Sequence, residues 1–234
     1  MRQTPSALML FAAGFGTRMG ALTANTPKPL LTLGGQTLLD RALDLADAAG
    51  IQNKVINLHY RGDQIASHLA QRKDIALSWE RAEILETGGG LRAALPLLGH
   101  SPVFTLNPDA IWAGPNPLIQ LRNGWNAKTM DALLLLLPMS SVKGRVGPAD
   151  FALSPDGRIT RAGSMGQHLY LGAQIIRTEG LAAIPDKAFS LNRLWDHMIT
   201  KNRAYGLIYQ GDWCDVGTPQ GLIDATAMLA RADV

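Results

Sequence analysis

The stretch Leu8-Met9-Leu10-Phe11-Ala12-Ala13-Gly14-Phe15-Gly16-Thr17-Arg18-Met19 constrains this chain more than any other, together with Thr26-Pro27-Lys28-Pro29-Leu30 shortly after it. An apolar run of strand character closes on small residues and then on two glycines one residue apart. Glycines so placed let the backbone turn sharply and bring its N–H groups close to an anion. Arg18 adds a forked, permanently charged donor suited to phosphate oxygens. The prolines on either side of Lys28 restrict the backbone and so limit where its amine can point. A loop with these parts reads as a triphosphate cradle.

Three other uses of such a loop are open to test. A dinucleotide fingerprint needs a third glycine where Met19 stands, and a P-loop needs Gly-Lys followed by Ser or Thr, which occurs nowhere in the chain. A plain strand-to-helix turn explains the glycines. It does not explain the arginine and the proline-flanked lysine at this spacing.

With 234 residues, 47% of them hydrophobic, the chain can bury a substantial core, and a single domain spanning 1–234 is expected. The net charge is only +3, from 22 basic and 19 acidic residues without a basic run, so nucleic acid is not an expected partner. The single cysteine, Cys214, rules out an internal disulfide framework. It has no base in view and reads as a small buried hydrophobe. The N-terminal apolar run stops at the Gly14 turn, too short for a signal peptide or a membrane span, so a cytoplasmic protein without a membrane partner is expected.

The rest of the chain alternates. Thr37 to Ala49 reads as a helix with Thr37 as its cap and Gly50 as its stop. Lys54 to Leu58 and Ile75 to Trp79 read as strands around a helix over 62–71, and Pro102 to Leu106 and Asp131 to Leu137 as further buried strands. Glu86-Thr87-Gly88-Gly89-Gly90 opens what reads as a helix over 91–98, whose clustered amides could approach a ligand edge, or simply form a flexible turn. From Val142 to Met165 the composition shifts to Gly, Pro and short strands around the Pro155-Asp156-Gly157 turn, predicting a small β excursion over about 142–167 on the substrate side. His168 to Ile176 returns as a strand. A helix capped by Ser190 follows, with Trp195 inward as core, and then a strand over 204–209 and a last helix from Pro219 capped by Thr218. Strand and helix in alternation predict an α/β fold with a Rossmann-like, doubly wound, mainly parallel sheet. In such sheets ligands gather beyond the carboxyl ends of the strands, where Asp109 stands. Asp215, between apolar neighbours, needs a compensating cation or donor cluster.

Ala12-Ala13-Gly14-Phe15-Gly16-Thr17-Arg18-Met19 with Pro27-Lys28-Pro29-Leu30, Leu85-Glu86-Thr87-Gly88-Gly89-Gly90, Asn107-Pro108-Asp109 and Trp213-Cys214-Asp215-Val216-Gly217-Thr218 together resemble the sugar-1-phosphate nucleotidyltransferases along nearly the whole chain. The likeness is nearest to their short N-acetylmuramate α-1-phosphate uridylyltransferase type, with mannose-1-phosphate guanylyltransferases as cousins. It implies transfer of a nucleotidyl group from a nucleoside triphosphate, UTP before the others, to a sugar 1-phosphate, with release of pyrophosphate and Mg²⁺ as cofactor. It implies nucleotide contacts by Ala12, Ala13, Gly14, Gly16, Thr17, Arg18, Lys28, Glu86, Thr87 and Gly88. Sugar-phosphate contacts would come from Asn107, Asp150, Arg161 and Gly172, metal ligation from Asp109 and Asp215, and catalysis from Arg18, Lys28 and Asp109. A monomer or small homo-oligomer is expected.

Departures from the family pattern accompany the likeness. Gly20-Ala21-Leu22-Thr23 stands where Pro-Leu-Thr is usual, and Pro108 where a glycine precedes the aspartate. The Glu-Lys-Pro lysine that holds the sugar phosphate in longer relatives has no counterpart between Gly157 and Tyr170, leaving Arg158 or Arg161 as substitutes. No C-terminal β-helix domain is expected. A weakly catalytic nucleotide-sugar sensor is the rival class, and a dinucleotide redox enzyme a more distant one.

Overall fold

The computed structural model describes residues 4–142, 147–163 and 166–232. Its element order begins with β1 (Ala7–Phe11), a short hairpin of β2 (Thr32–Leu33) and β3 (Gln36–Thr37), and α1 (Leu38–Ala48). Then come β4 (Asn53–Leu58), α2 (Gly62–His68), β5 (Ile75–Trp79), α3 (Glu86–Leu98), β6 (Val103–Leu106), β7 (Ala110–Ala113) and α4 (Pro117–Gly124). The second half holds β8 (Ala132–Pro138), β9 (Phe151–Leu153), β10 (Ile159–Arg161), β11 (His168–Ile176), α5 (Asn192–Thr200), β12 (Ala204–Ile208), β13 (Asp212–Asp215) and α6 (Pro219–Ala232).

One sheet of nine strands organises the described residues. β5, β4, β1 and β6 lie side by side in parallel, and β12 runs parallel to β8. β11 runs antiparallel between β6 and β8 and stitches these two parallel groups into one mainly parallel sheet. The alternation in β1 shows why helices are needed on both faces. Leu8 and Leu10 pack with α1, α2 and α4 residues, among them Leu39, Leu43, Ile65, Leu118 and Leu121. Ala7 and Met9 pack on the other face with Leu91 and Leu98 of α3 and Leu194 and Met198 of α5. The expected doubly wound architecture is therefore present. α6 closes a third, smaller cluster with Met19, Leu33, Ile111, Cys214 and Val216.

Local chemistry sets the element ends. Thr37 caps α1, its hydroxyl accepting from the Asp40 N–H at 3.0 Å. Thr218 does the same for Gly221 in α6 at 3.2 Å. Ser190 accepts from the Asn192 N–H at 3.2 Å, although α5 starts one residue later than a Ser190 cap implies, with Leu191 in the capping position. β7 and α4 are absent from the sequence reading. β7 is short, and α4 carries its own signal in Asn116-Pro117, where the Asn116 side chain accepts from Leu118 and Ile119. β9 and β10, the described part of the expected β excursion, extend the same sheet beyond β11. Residues 143–146 and 164–165 of that excursion lie outside the described ones.

The triple glycine corrects an expectation. α3 begins at Glu86, so the glycines lie within its first turns. The N–H groups of Gly88 and Gly89 both donate to the Phe189 carbonyl, at 2.8 and 3.1 Å, rather than pointing free toward a ligand. A Cβ at Gly88 would lie 2.4 Å from the Phe189 ring, and one at Gly89 would lie 2.4 Å from the Lys187 carbonyl oxygen. Close packing against residues 187–189 is what demands glycine here. Gly88→Ala should therefore cost roughly 1–3 kcal/mol by overpacking, read as a lower urea midpoint with an unchanged slope.

Candidate active site

β1 and β6 are parallel neighbours, so the loops leaving their carboxyl ends come together. The first carries Ala12 to Arg18 and the second Asn107 to Asp109. Gly16 sits at φ +64°, a left-handed conformation that glycine adopts freely, and its carbonyl starts the turn at Thr17 by accepting from the Met19 N–H at 2.9 Å. A Cβ on Gly16 would lie 3.0 Å from the Lys28 Cβ, so glycine also lets the lysine stem cross the loop. A Cβ on Gly14 would meet nothing within 4 Å. Protein packing does not require glycine at that position.

Lys28, only 12% exposed at its side chain, reaches across to Asp109, with Nζ 2.5 Å from Oδ2. Asp215 arrives from far along the chain. The antiparallel pairing of β13 with β7 sets Asp215 opposite Ala110, and the Val216 N–H donates to the Asp109 carbonyl at 2.9 Å. Gly217 leaves a gap beside this carboxylate. A Cβ there would be 2.8 Å from Asp215 Oδ2 and 3.1 Å from Arg18 Nη2, so both side chains border the space that glycine leaves.

Two adjoining cavities share Arg18 and Asp109. The smaller, roughly 200 Å³, is lined by Ala12, Gly14, Gly16, Thr17, Lys28 and Gly217 among others. The larger, roughly 320 Å³, takes in Thr87, Asn107, Asp150, Arg161, Gly172 and Asp215. Three residues of the sequence-derived set line neither: Ala13 is buried, Glu86 is exposed at φ +57°, and Gly88 packs on Phe189. Gly172, at φ +85°, interrupts the β11–β8 register, and its carbonyl accepts from the Asn107 N–H at 2.8 Å. Asp150 accepts from the Tyr170 N–H at 2.9 Å. Arg161 is held by Asp196 at 2.7 Å and by the Asn192 carbonyl at 3.0 Å, with its guanidinium over the Phe151 and Trp195 rings.

Sequence reasoning missed the aromatic wall of the larger cavity. Trp195 is buried as expected, its Nε1 donating to Gln174 at 2.9 Å, yet its ring also faces the cavity beside Phe151 and Tyr170. Burial pushes the Tyr170 hydroxyl above its usual range, so it stays protonated at neutral pH. Also missed were Asn57 and Glu80, buried behind the signature loop. Their only sequence signal is a polar residue interrupting one apolar strand and an acid directly after another. Cys214 is buried, and burial pushes its thiol up to about 11, which suits a packing residue and not a nucleophile.

For a metal, the described residues offer Asp109 and Asp215 and no cluster of three or more His, Cys, Asp or Glu. Two carboxylate oxygens suit Mg²⁺, which keeps waters and substrate phosphates in the rest of its shell, and would not make a closed structural zinc site.

Residues 8–137 match the MobA-like NTP transferase domain. The N-acetylmuramate alpha-1-phosphate uridylyltransferase of Caulobacter vibrioides is 39% identical over 243 aligned positions, covering 99% of this chain and 100% of that one. The chain belongs to the sugar-1-phosphate nucleotidyltransferases. The enzyme of the same description from Neisseria meningitidis serogroup B is 34% identical to this nucleotidyltransferase over 94% of its length and 96% of the relative's. A UDP-glucose pyrophosphorylase solved with UDP-glucose shares the fold at a TM-score of 0.79, with 15% identity over 97% of this chain and 99% of that one. No helix among the described residues of the nucleotidyltransferase is long and apolar enough to cross a membrane.

The open space at Gly14 separates a packing role from a ligand role. Gly14→Ala should leave stability within about 0.5 kcal/mol of the parent by denaturant titration. Calorimetry of nucleoside triphosphate binding to the same variant should show the affinity falling at least roughly tenfold, because the methyl group enters space the protein itself leaves open.

Proposed function

We propose that this nucleotidyltransferase transfers uridylyl from UTP to N-acetylmuramate 1-phosphate or a closely similar sugar 1-phosphate, forming the UDP-sugar and pyrophosphate. The observation that carries the reading is the meeting of Asp109 and Asp215 with Lys28 and Arg18 where the two cavities join. The choice of base and sugar is supported by the two uridylyltransferase relatives, which align along almost the entire chain.

A phosphate oxygen of the sugar 1-phosphate attacks the α-phosphorus of the triphosphate in line. The new P–O bond forms as the bond to the β-phosphate oxygen breaks, and the electron pair leaves with pyrophosphate. The attacking group is already an anion near neutral pH, so no general base is required. The work left to the protein is positioning and charge neutralisation. The backbone of Gly14 to Gly16 and the Arg18 guanidinium hold the β- and γ-phosphates. Lys28, fixed by its contact with Asp109, meets the α-phosphate or the departing oxygen. Mg²⁺ held by Asp109 and Asp215 would supply further neutralisation of phosphate charge. Asn107, Asp150, Gly172 and Arg161 border the larger cavity, on the side proposed for the sugar phosphate. Arg161 takes the part of the missing Glu-Lys-Pro lysine, since it lines that cavity.

The test is pyrophosphate release from UTP, GTP, CTP, ATP and dTTP with Mg²⁺, each against the 1-phosphates of N-acetylmuramate, N-acetylglucosamine, mannose and glucose. Turnover is expected with UTP and the muramate substrate, and Asp109→Asn should lower it by roughly 100-fold or more. Preference for another pair would reassign the substrates. Silence throughout, with a nucleotide sugar still bound, would replace the enzyme by a sensor.

A further inference from the structure

Behind the signature loop lies a hydrogen-bonded chain that no part of the proposed chemistry uses. The Ala12 N–H donates to Asn57 Oδ1 at 2.8 Å. Asn57 Nδ2 donates to Glu80 Oε1 at 2.7 Å, and Glu80 Oε2 accepts from the Leu85 N–H at 2.7 Å. Asn57 and Glu80 are each only 3% exposed. Among the described residues no cation pairs with Glu80, so burying a carboxylate here carries a cost that its hydrogen bonds must offset. Gly90 belongs to the same arrangement, for a Cβ there would lie 2.7 Å from Glu80 Oε1 and 2.9 Å from Asn57 Nδ2.

The two ends of this chain are what give it meaning. Asn57 is the register partner of Phe11, the last residue of β1, and its side chain takes hold of the next backbone amide as the loop leaves the sheet. Leu85 is the residue before α3, whose Thr87 lines the larger cavity. Ala12 lines the smaller one. The Asn57–Glu80 pair therefore fixes the spacing between two segments that approach the cavities from different strands.

We infer that Asn57 and Glu80 are positioning residues for the nucleoside triphosphate, holding the signature loop that takes its phosphates at a fixed separation from the 85–90 segment. This rests on the functional reading above. Neither side chain touches substrate; they act through the backbone at Ala12 and Leu85. The chain has a fixed direction. Only an oxygen can accept from the Ala12 N–H, so Asn57 must turn its amino group to Glu80, and both oxygens of Glu80 must then accept. The single change Glu80→Gln cannot meet that demand, because the new amino group would face either the Asn57 amino group or the Leu85 N–H. Adding Asn57→Asp restores the match. The carboxylate introduced at position 57 accepts at both oxygens, from the Ala12 N–H and from the new amino group at position 80. The amide oxygen at position 80 then accepts from Leu85. The swap keeps size, net charge and bond count and reverses one donor–acceptor pair.

The experiment compares Glu80→Gln with the double variant Asn57→Asp/Glu80→Gln, using steady-state kinetics and amide hydrogen exchange. Glu80→Gln should raise the KM for the triphosphate by roughly tenfold, with kcat little changed and a clearly smaller rise in the KM for the sugar 1-phosphate, whose cavity only Thr87 of the 85–90 segment lines. It should also speed exchange at the Ala12 and Leu85 amides, and the double variant should recover both properties. An unchanged triphosphate KM in the single variant, equal losses for both substrates, or a double variant no better than the single would overturn the inference. If Glu80→Gln does not fold, the double variant still should, and an unfolded double variant sinks the scheme. If the parent enzyme turns over no nucleotide, the functional reading fails instead, and exchange at Ala12 and Leu85 alone decides whether the pair holds the two segments.

Discussion

Asp109 and Asp215 come from strands far apart in sequence to line one cavity, and bringing two carboxylates to one place carries a repulsion that neighbouring cations must offset. Asp109 sits just beyond β6 and Asp215 ends β13, and the β7–β13 ladder forces them together. The cations come from the first thirty residues, with Lys28 paired to Asp109 and Arg18 lining the same cavity as both aspartates. The segment carrying Lys28 and the end of β13 are thus both tied to the loop at Asp109. The same four charges can engage phosphate and a divalent ion, so stability and proposed chemistry draw on one set of contacts. Substrate phosphates would compete with Asp109 for Lys28, which is how a site can be both neutralised when empty and receptive when loaded.

Distance from the site changes what charge does. At the amino end of β4, Lys54 is 2% exposed and lies between Asp47 at 2.8 Å and Asp74 at 2.6 Å, with Arg72 bridging the same two acids. That closed, mutually satisfied network borders neither site cavity. Near the substrate side the Lys28–Asp109 pair lies in the lining of the smaller cavity, where a ligand can reach both partners. What separates the two is position and not exposure: one network ties β4 to its neighbours, and the other lines a cavity.

Much of the architecture was legible because it rests on periodicity. β1, β4, β5, β6, β8 and β11 announce themselves as apolar runs, and α1 by its Thr37 cap and its apolar face. The signature loop was legible because Gly14, Gly16, Arg18 and Lys28 are unusual in combination. β7 escaped notice because four residues carry too little pattern, and without β7 the pairing of Asp109 with Asp215 has no visible cause. The triple glycine was misread because sequence cannot say what a missing side chain makes room for. Gly14 opens onto space, whereas Gly88 and Gly89 open onto Phe189 and Lys187.

Local physics in the chain determined the strands, the caps, the sharp loop and the presence of two aspartates at strand ends. These depend on residues within a few positions of one another, and such information survives in a linear string. Which groups meet was decided only by the tertiary structure. Lys28 finds Asp109 81 positions away, and Asn57 finds Glu80 23 positions away. Trp195 becomes part of a cavity wall only because β11 and β9 bring Tyr170 and Phe151 to it. Parallel strands put residues distant in sequence at one edge of the sheet, and no local pattern records who their neighbours will be.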